Sequence, residues 1–260
     1  MSPAGETSPC ANEPIVGVIG GMGPGATAEF LRRIVLATDA ADDADHIHVI
    51  ADSNPRVPSR IRALIEGDGE DPAPVLTDMA RRLEQHGADF LVMPCNTAHC
   101  YRAAIAAAVS VPVWDMVDLT LELVAARTAG TRVGLLASPA LRRIALYEQP
   151  AARRGMSIIY PRDEEALLDV IRAVKADRVG EAERRYYGQA AAELMADRAD
   201  ALVLACTEFS LLPLEPNSGV PTVDSLQVLV DSVVRAVKAA RTEPIPPQPA
   251  PGNISEPPAT

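Results

Sequence analysis

The chain has 260 residues, 48% hydrophobic and 23% charged, which is an ordinary globular composition with enough length to bury a large core. Aromatics make up only 3%, so that core must be built mainly from Ala, Val, Leu and Ile. A net charge of −11 argues against a nucleic-acid or acidic-membrane surface, which needs clustered Lys and Arg, but not against a small anionic ligand that meets a few local charges.

Residues 1–13 are small and polar with prolines, and read as a disordered tail. Beyond them short β-branched runs alternate with longer Ala/Leu/Arg patterns. The first half predicts strand Ile15–Ile19, helix Gly25–Thr38, strand His46–Ala51, helix Val75–His86, strand Phe90–Met93, helix Ala98–Ala108 and a weaker strand Val111–Trp114. The second half predicts helix Leu119–Thr128, strand Val133–Leu136, helix Pro139–Tyr147, strand Ser157–Tyr160, helices Glu164–Lys175 and Gly180–Asp197, strand Ala201–Leu204, a weaker strand Pro221–Val223 and helix Ser225–Arg241. Asp118 is placed to cap the helix that follows it, and Ser138-Pro139 reads as a cap with proline at the first helical position. Pro150 predicts a helix end or kink. The tail, residues 243–260, carries seven prolines and reads as extended and solvated. Strand–helix alternation at this spacing predicts an α/β fold with parallel sheet and helices on both faces.

The N-terminus lacks the basic and apolar regions of a signal peptide, and no apolar run reaches the ~18 residues of a membrane span. Four cysteines in a chain this long make no disulfide framework and point to the reducing cytosol.

The sequence repeats itself. Val16–Gly21 (VGVIGG) resembles Val133–Ser138 (VGLLAS), and Ala88–His99 (ADFLVMPCNTAH) resembles Ala199–Ser210 (ADALVLACTEFS). Each half therefore ends a buried strand in a cysteine followed by polar residues. In open parallel sheets ligands bind beyond the carboxyl ends of strands. Five stretches fall there: Gly20–Gly25, Asp52–Arg60, Cys95–His99, Ser138 and Cys206–Glu208.

A thiol at a helix N-terminus has its pKa lowered by the dipole and by unpaired N–H groups, so both Cys95 and Cys206 are expected to ionise readily. The same N–H groups, with the Asn96, Thr97 and Thr207 side chains, can hold a carboxylate. Two such sites facing across a cleft suit removal of a proton from one face of a carbon and its return to the other. Cys10 and Cys100 are assigned no role.

Gly21-x-Gly23-x-x-Ala26 satisfies the dinucleotide fingerprint only formally. Pro24 removes a donor from the turn, and the acid after the second strand, Asp52, comes later than the ribose-binding position. Close backbone approach to a small ligand is the better reading of these glycines. In Asp52–Arg60 (DSNPRVPSR) two prolines stiffen a loop that can present Asn54 and Arg60, the latter to a carboxylate. A zinc reading of Cys95, His99 and Cys100 lacks a second ligand pair, so no metal is expected.

The combination IGGMGPGATAEF, DSNPRVPSR, MPCNTAH and ACTEFSLLP, in this order and spacing, resembles the aspartate/glutamate racemase family, and its aspartate racemase branch in particular. The resemblance covers roughly residues 14–240. It implies two similar α/β domains with the active site in the interdomain cleft, the first formed by residues 14–116 plus about 220–242, the second by 117–219. It further implies a PLP-independent isomerase without cofactor, a small acidic amino acid as substrate, a cytoplasmic homodimer, and Cys95 and Cys206 as the acid/base pair. Cys95 would act on the D-enantiomer and Cys206 on the L-enantiomer. The amino-acid head would be held around Met22, Gly23, Asn96, Thr97, Ser138 and Thr207, with Glu208 adjoining. Arg60 and Lys175 match the positions that recognise the distal carboxylate. The chain departs from the family in having Ser59 where an Asp is frequent, and Ser138-Pro139-Ala140-Leu141 where Thr-x-Gly-Thr is frequent. Alternatives are a maleate-isomerase-like or decarboxylase-like enzyme on the same scaffold, a racemase of broader specificity, a noncatalytic amino-acid-binding protein and a dinucleotide-dependent reductase.

Overall fold

The computed structural model describes residues 13–212, 214 and 219–240. The two expected tails, apart from Glu13, lie outside the described residues, as do Cys10 and the end of the last helix. Two parallel sheets carry the chain. The first has the order β2-β1-β3, from β1 (Val16–Gly20), β2 (Val49–Ser53) and β3 (Phe90–Val92). The second has the order β5-β4-β6-β7, from β4 (Arg132–Ala137), β5 (Ser157–Ile159), β6 (Ala201–Ala205) and β7 (Thr222–Asp224). The sequence repeat is a structural one. Val16 pairs with Phe90 in the first sheet, and their counterparts Val133 and Ala201 pair in the second. The run expected as strand Val111–Trp114 contributes only a bridge from Val113 to Leu91, at the place β7 holds beside β6.

Central strands are apolar because both faces are covered. Every residue of β1 is buried, whereas β2 at the sheet edge is half-exposed. On one face of the first sheet, α1 (Pro24–Ala37) and α9 (Ser225–Ala240) pack Phe30, Ile34, Leu229 and Val233 against Val16, Val18 and Trp114. On the other, α2 (Ala73–Gln85) and α3 (Arg102–Ala108) bring Leu76, Met79 and Ile105 against Ile19 and Leu91. Each such fully buried side chain contributes roughly 1.5–3 kcal/mol. The second sheet is enclosed likewise. The helix α4 (Met116–Arg127) and the short helices α5 (Pro139–Arg143) and α6 (Glu148–Ala152) lie on one face, with α7 (Glu164–Lys175) and α8 (Glu181–Ala196) on the other. Although β7 belongs to the second sheet, α9 returns to the first half, so the chain crosses the cleft at Asp224–Ser225. No helix among the described residues is long and apolar enough to cross a membrane.

Several local expectations are corrected. Asp115, not Asp118, caps α4: its carboxylate accepts from Val117 N–H and Asp118 N–H at 3.0 and 3.1 Å, while Asp118 pairs with Arg154. The helix starts early because Met116 N–H is held by His99. The helix expected over Pro139–Tyr147 ends at Arg143, where Ala145 enters the left-handed region (φ 50°). Pro150 does not end a helix but sits in the first turn of α6, where its missing N–H breaks no helical bond. The helix expected from Ala98 opens as a 3-10 turn, Thr97–Tyr101, and becomes α-helical only at Arg102. A π-helical turn, Arg62–Glu66, follows the proline-stiffened loop and was not foreseen.

Candidate active site

The carboxyl ends of β1, β3, β4 and β6 converge on one cavity of about 40 Å³ between the halves. Its lining includes both repeat cysteines, Cys95 after β3 and Cys206 after β6, each more than nine-tenths buried. Of the residues expected at the site, Met22, Arg60, Asn96, Thr97, Ser138, Lys175, Thr207 and Glu208 line the same space, with Ile61 and Ile171 as apolar walls that were not anticipated. Arg60, Lys175 and Glu208 also line an adjoining outer chamber of about 430 Å³, which Gly23 faces. Asn54 lines neither. Its Oδ1 accepts from Arg56 N–H at 3.0 Å and shapes the loop instead. That loop is pressed against the glycine turn. Gly21 has φ 90°, and a Cβ there would stand 2.4 Å from the Asn54 backbone, so only glycine lets the ends of β1 and β2 meet.

The two cysteines have different surroundings. The Cys206 thiol donates to Glu208 Oε2 at 2.9 Å. Burial, the negative charge of Glu208 and that hydrogen bond push this thiol well above its ordinary pKa, and nearby Lys175 offsets them only partly. The expected lowering is therefore reversed. The turn after Cys206 is a single 3-10 turn, Phe209–Leu211, too short to carry a useful dipole, while a carboxylate lies next to the sulfur. Glu208 Oε1 has no hydrogen-bond partner, and Lys175 Nζ stands 3.5 Å from it as an ion pair without hydrogen-bond geometry. A Cβ on Gly23 would be 3.3 Å from the same oxygen, so the glycine makes room for the carboxylate.

Cys95 is held through its backbone. His99 is buried, its Nδ1 faces Cys95 O at 2.8 Å, and its Nε2 accepts from Met116 N–H at 3.1 Å. A carbonyl can only accept, so Nδ1 carries the proton. Burial lowers the imidazole pKa and keeps it neutral. With both ring nitrogens committed to backbone, His99 has none left for a metal. Beneath it Arg102 pairs with Asp115 at 3.1 Å and donates to Val113 O. Asn96, expected to hold ligand through its side chain, has that amide engaged within the protein: Oδ1 accepts from Tyr147 O–H at 2.5 Å and Nδ2 donates to Ser225 Oγ at 2.9 Å. Ser138 Oγ caps α5 by accepting from Ala140 N–H at 3.3 Å, as its sequence context implied. Arg60 Nη1 donates to Pro58 O at 3.0 Å, a contact that ties one terminal nitrogen of the guanidinium to its own loop.

A sequence profile of the Asp/Glu/hydantoin racemase family matches residues 19–233. The broad specificity amino-acid racemase of Bacillus subtilis is 28% identical over 225 residues, spanning 85% of this chain and 96% of that protein. Among solved structures, the aspartate racemase of Picrophilus torridus superposes with a TM-score of 0.77 at 29% identity, covering 86% of this chain and 94% of that one. An aspartate racemase homologue from Pyrococcus horikoshii, at 19% identity and a TM-score of 0.69, covers 86% of this chain and 98% of its own and shares the fold. With two parallel-sheet halves, a repeated strand-end cysteine and a profile match along most of its length, the chain belongs to the Asp/Glu/hydantoin racemase family and is an amino-acid racemase.

Proposed function

We propose that the chain interconverts the L- and D-forms of aspartate, or of glutamate, without PLP, by proton transfer between Cys95 and Cys206. One observation carries this reading: thiols from corresponding strand ends of the two halves line a single cavity, with Arg60 and Lys175 at its rim. In the resting site Cys206 holds its proton, with Glu208 as acceptor. Cys206 is thus poised to deliver a proton, and Cys95 to remove one from the D-enantiomer. The reverse reaction uses the complementary protonation state. Thr97 and Thr207 line the cavity and would offer hydroxyls and amides to the α-carboxylate, and Arg60 and Lys175 would offer positive charge to the distal carboxylate.

A positioned acid or base contributes typically ~10²–10⁴-fold, too little alone for so weak a carbon acid as an amino-acid α-carbon. The rest must come from preorganised donors in a closed site without bulk water. Closure of the two halves around a bound substrate would supply that exclusion of water. The test is proton NMR of L-aspartate and L-glutamate in D₂O with the purified protein. Loss of the α-proton signal together with appearance of the D-enantiomer supports the racemase. Binding shifts without exchange would support a noncatalytic binding protein instead.

A broader amino-acid range is the second reading. The outer chamber of about 430 Å³ favours it, because a longer side chain could extend past Arg60 and Lys175 into that space. The similarity to a broad-specificity relative points the same way. The same NMR measurement over a panel of L-amino acids separates the two readings.

A further inference from the structure

Tyr147, Asn96 and Ser225 form a directed chain of hydrogen bonds that joins the two cysteine-bearing strand ends. Tyr147 O–H donates to Asn96 Oδ1 at 2.5 Å, Asn96 Nδ2 donates to Ser225 Oγ at 2.9 Å, and Ser225 O–H donates to Leu204 O at 2.7 Å. Asn96 directly follows Cys95, and Leu204 lies two residues before Cys206 on β6. Tyr147 and Ser225 are fully buried and Asn96 is 2% exposed. Each donor meets an acceptor, and the chain has one consistent direction, which fixes the amide of Asn96 in a single orientation. Burial raises the Tyr147 phenol far above its ordinary range, so it stays a donor at any working pH. Neither Tyr147 nor Ser225 lines the cavity.

We propose that Tyr147 and Ser225 are positioning residues which act through Asn96 to set the separation and facing of the two sulfurs, and that the Asn96 side chain serves this relay rather than the substrate. The inference rests on the two-cysteine racemase reading for its kinetic consequence. A fully satisfied buried network specifies one geometry, and removing one partner leaves a buried polar group unpaired. In a two-base reaction a small error in sulfur placement harms delivery of the second proton more than binding. Abstraction then ends more often in return of a solvent-derived proton to the same face.

The experiment compares wild type with Tyr147→Phe, Ser225→Ala and the double variant on L-aspartate in D₂O, by chiral chromatography and NMR. Each single variant is expected to lower kcat at least tenfold with KM within about twofold, and to raise the ratio of α-proton exchange with retention to racemisation. The double variant is expected to be no slower than the poorer single, since both act through one amide. Unchanged kcat, a loss carried by KM, or additive losses would overturn the relay. A wild-type protein inert toward L-aspartate would count against the choice of substrate, and the relay is then read from iodoacetamide labelling of the resting protein. The relay predicts that buried Cys95 and Cys206 are labelled at least threefold faster in either variant, and equal rates would overturn it.

Discussion

The Cys206 thiol is bonded to Glu208, two residues further along the chain, with Sγ 2.9 Å from Oε2, while the other oxygen of that carboxylate stands 3.5 Å from Lys175 Nζ. Burial first, and then the Glu208 charge and hydrogen bond, keep the sulfur as a proton donor, and the Lys175 cation offsets them only in part. This balance makes the two halves of the site chemically unequal although they are topologically equivalent.

Replacing Glu208 by Gln should lower the Cys206 pKa, because it removes the charge and leaves burial as the main raising influence. The pH at which Cys206 becomes alkylable should fall, and kcat should drop about 10–100-fold through loss of an oriented proton acceptor. Stability responds as well. A thiol whose pKa is raised in the folded chain is deprotonated first in the unfolded chain. Its contribution is therefore full below the unfolded value of ~8.5 and is lost as pH rises toward the folded value. Glu208→Gln should soften this alkaline loss, read as a smaller fall in Tm above about pH 9. An alkylation profile identical to wild type would contradict the pairing.

Lys175→Ala tests the distal-carboxylate assignment. A hydrogen bond to a charged group contributes roughly 1.5–3 kcal/mol, so KM for aspartate should rise about 10–150-fold. KM for alanine, which lacks the second carboxylate, should change little. Losing the cation also moves the Cys206 titration upward, opposite in sign to Glu208→Gln. Equal effects on both amino acids would place the distal carboxylate elsewhere.

Gly21→Ala should destabilise the fold by about 2–5 kcal/mol, combining the cost of a left-handed conformation with overlap against backbone. The new Cβ would stand 2.4 Å from Asn54 backbone atoms, which cannot move aside as a flexible side chain could. Thermal melting reads the loss. An unchanged Tm would mean that the turn can relax without strain.

Much of this was legible in the sequence, for physical reasons. Apolar β-branched runs flanked by turn residues located six of the seven strands to within one residue, with β2 beginning three residues later than expected, and the repeated Ala-Asp-strand-Cys pattern marked the two halves as alike, as the matching pairs Val16–Phe90 and Val133–Ala201 are. The rule that ligands gather beyond strand ends placed both cysteines at one cavity. What escaped depends on partners far apart in the chain. Tyr147 and Ser225 meet Asn96 across 51 and 129 residues, so no local pattern could reveal that its amide is engaged. The dipole argument at Cys206 assumes an exposed thiol on a full helix, whereas burial, then a carboxylate two residues on, beside only a 3-10 turn, reverse its sign. The cap of α4 moved to Asp115 because a histidine from another element sets where that helix begins.

The most direct test of the central claim follows the α-hydrogen in Cys95→Ser and Cys206→Ser proteins, each incubated with L- and D-aspartate in D₂O and assayed for exchange and inversion. A mechanism with one sulfur on either side of the α-carbon predicts that neither variant inverts either enantiomer, whereas wild type inverts both with deuterium incorporated. Full racemisation by either single variant would contradict it.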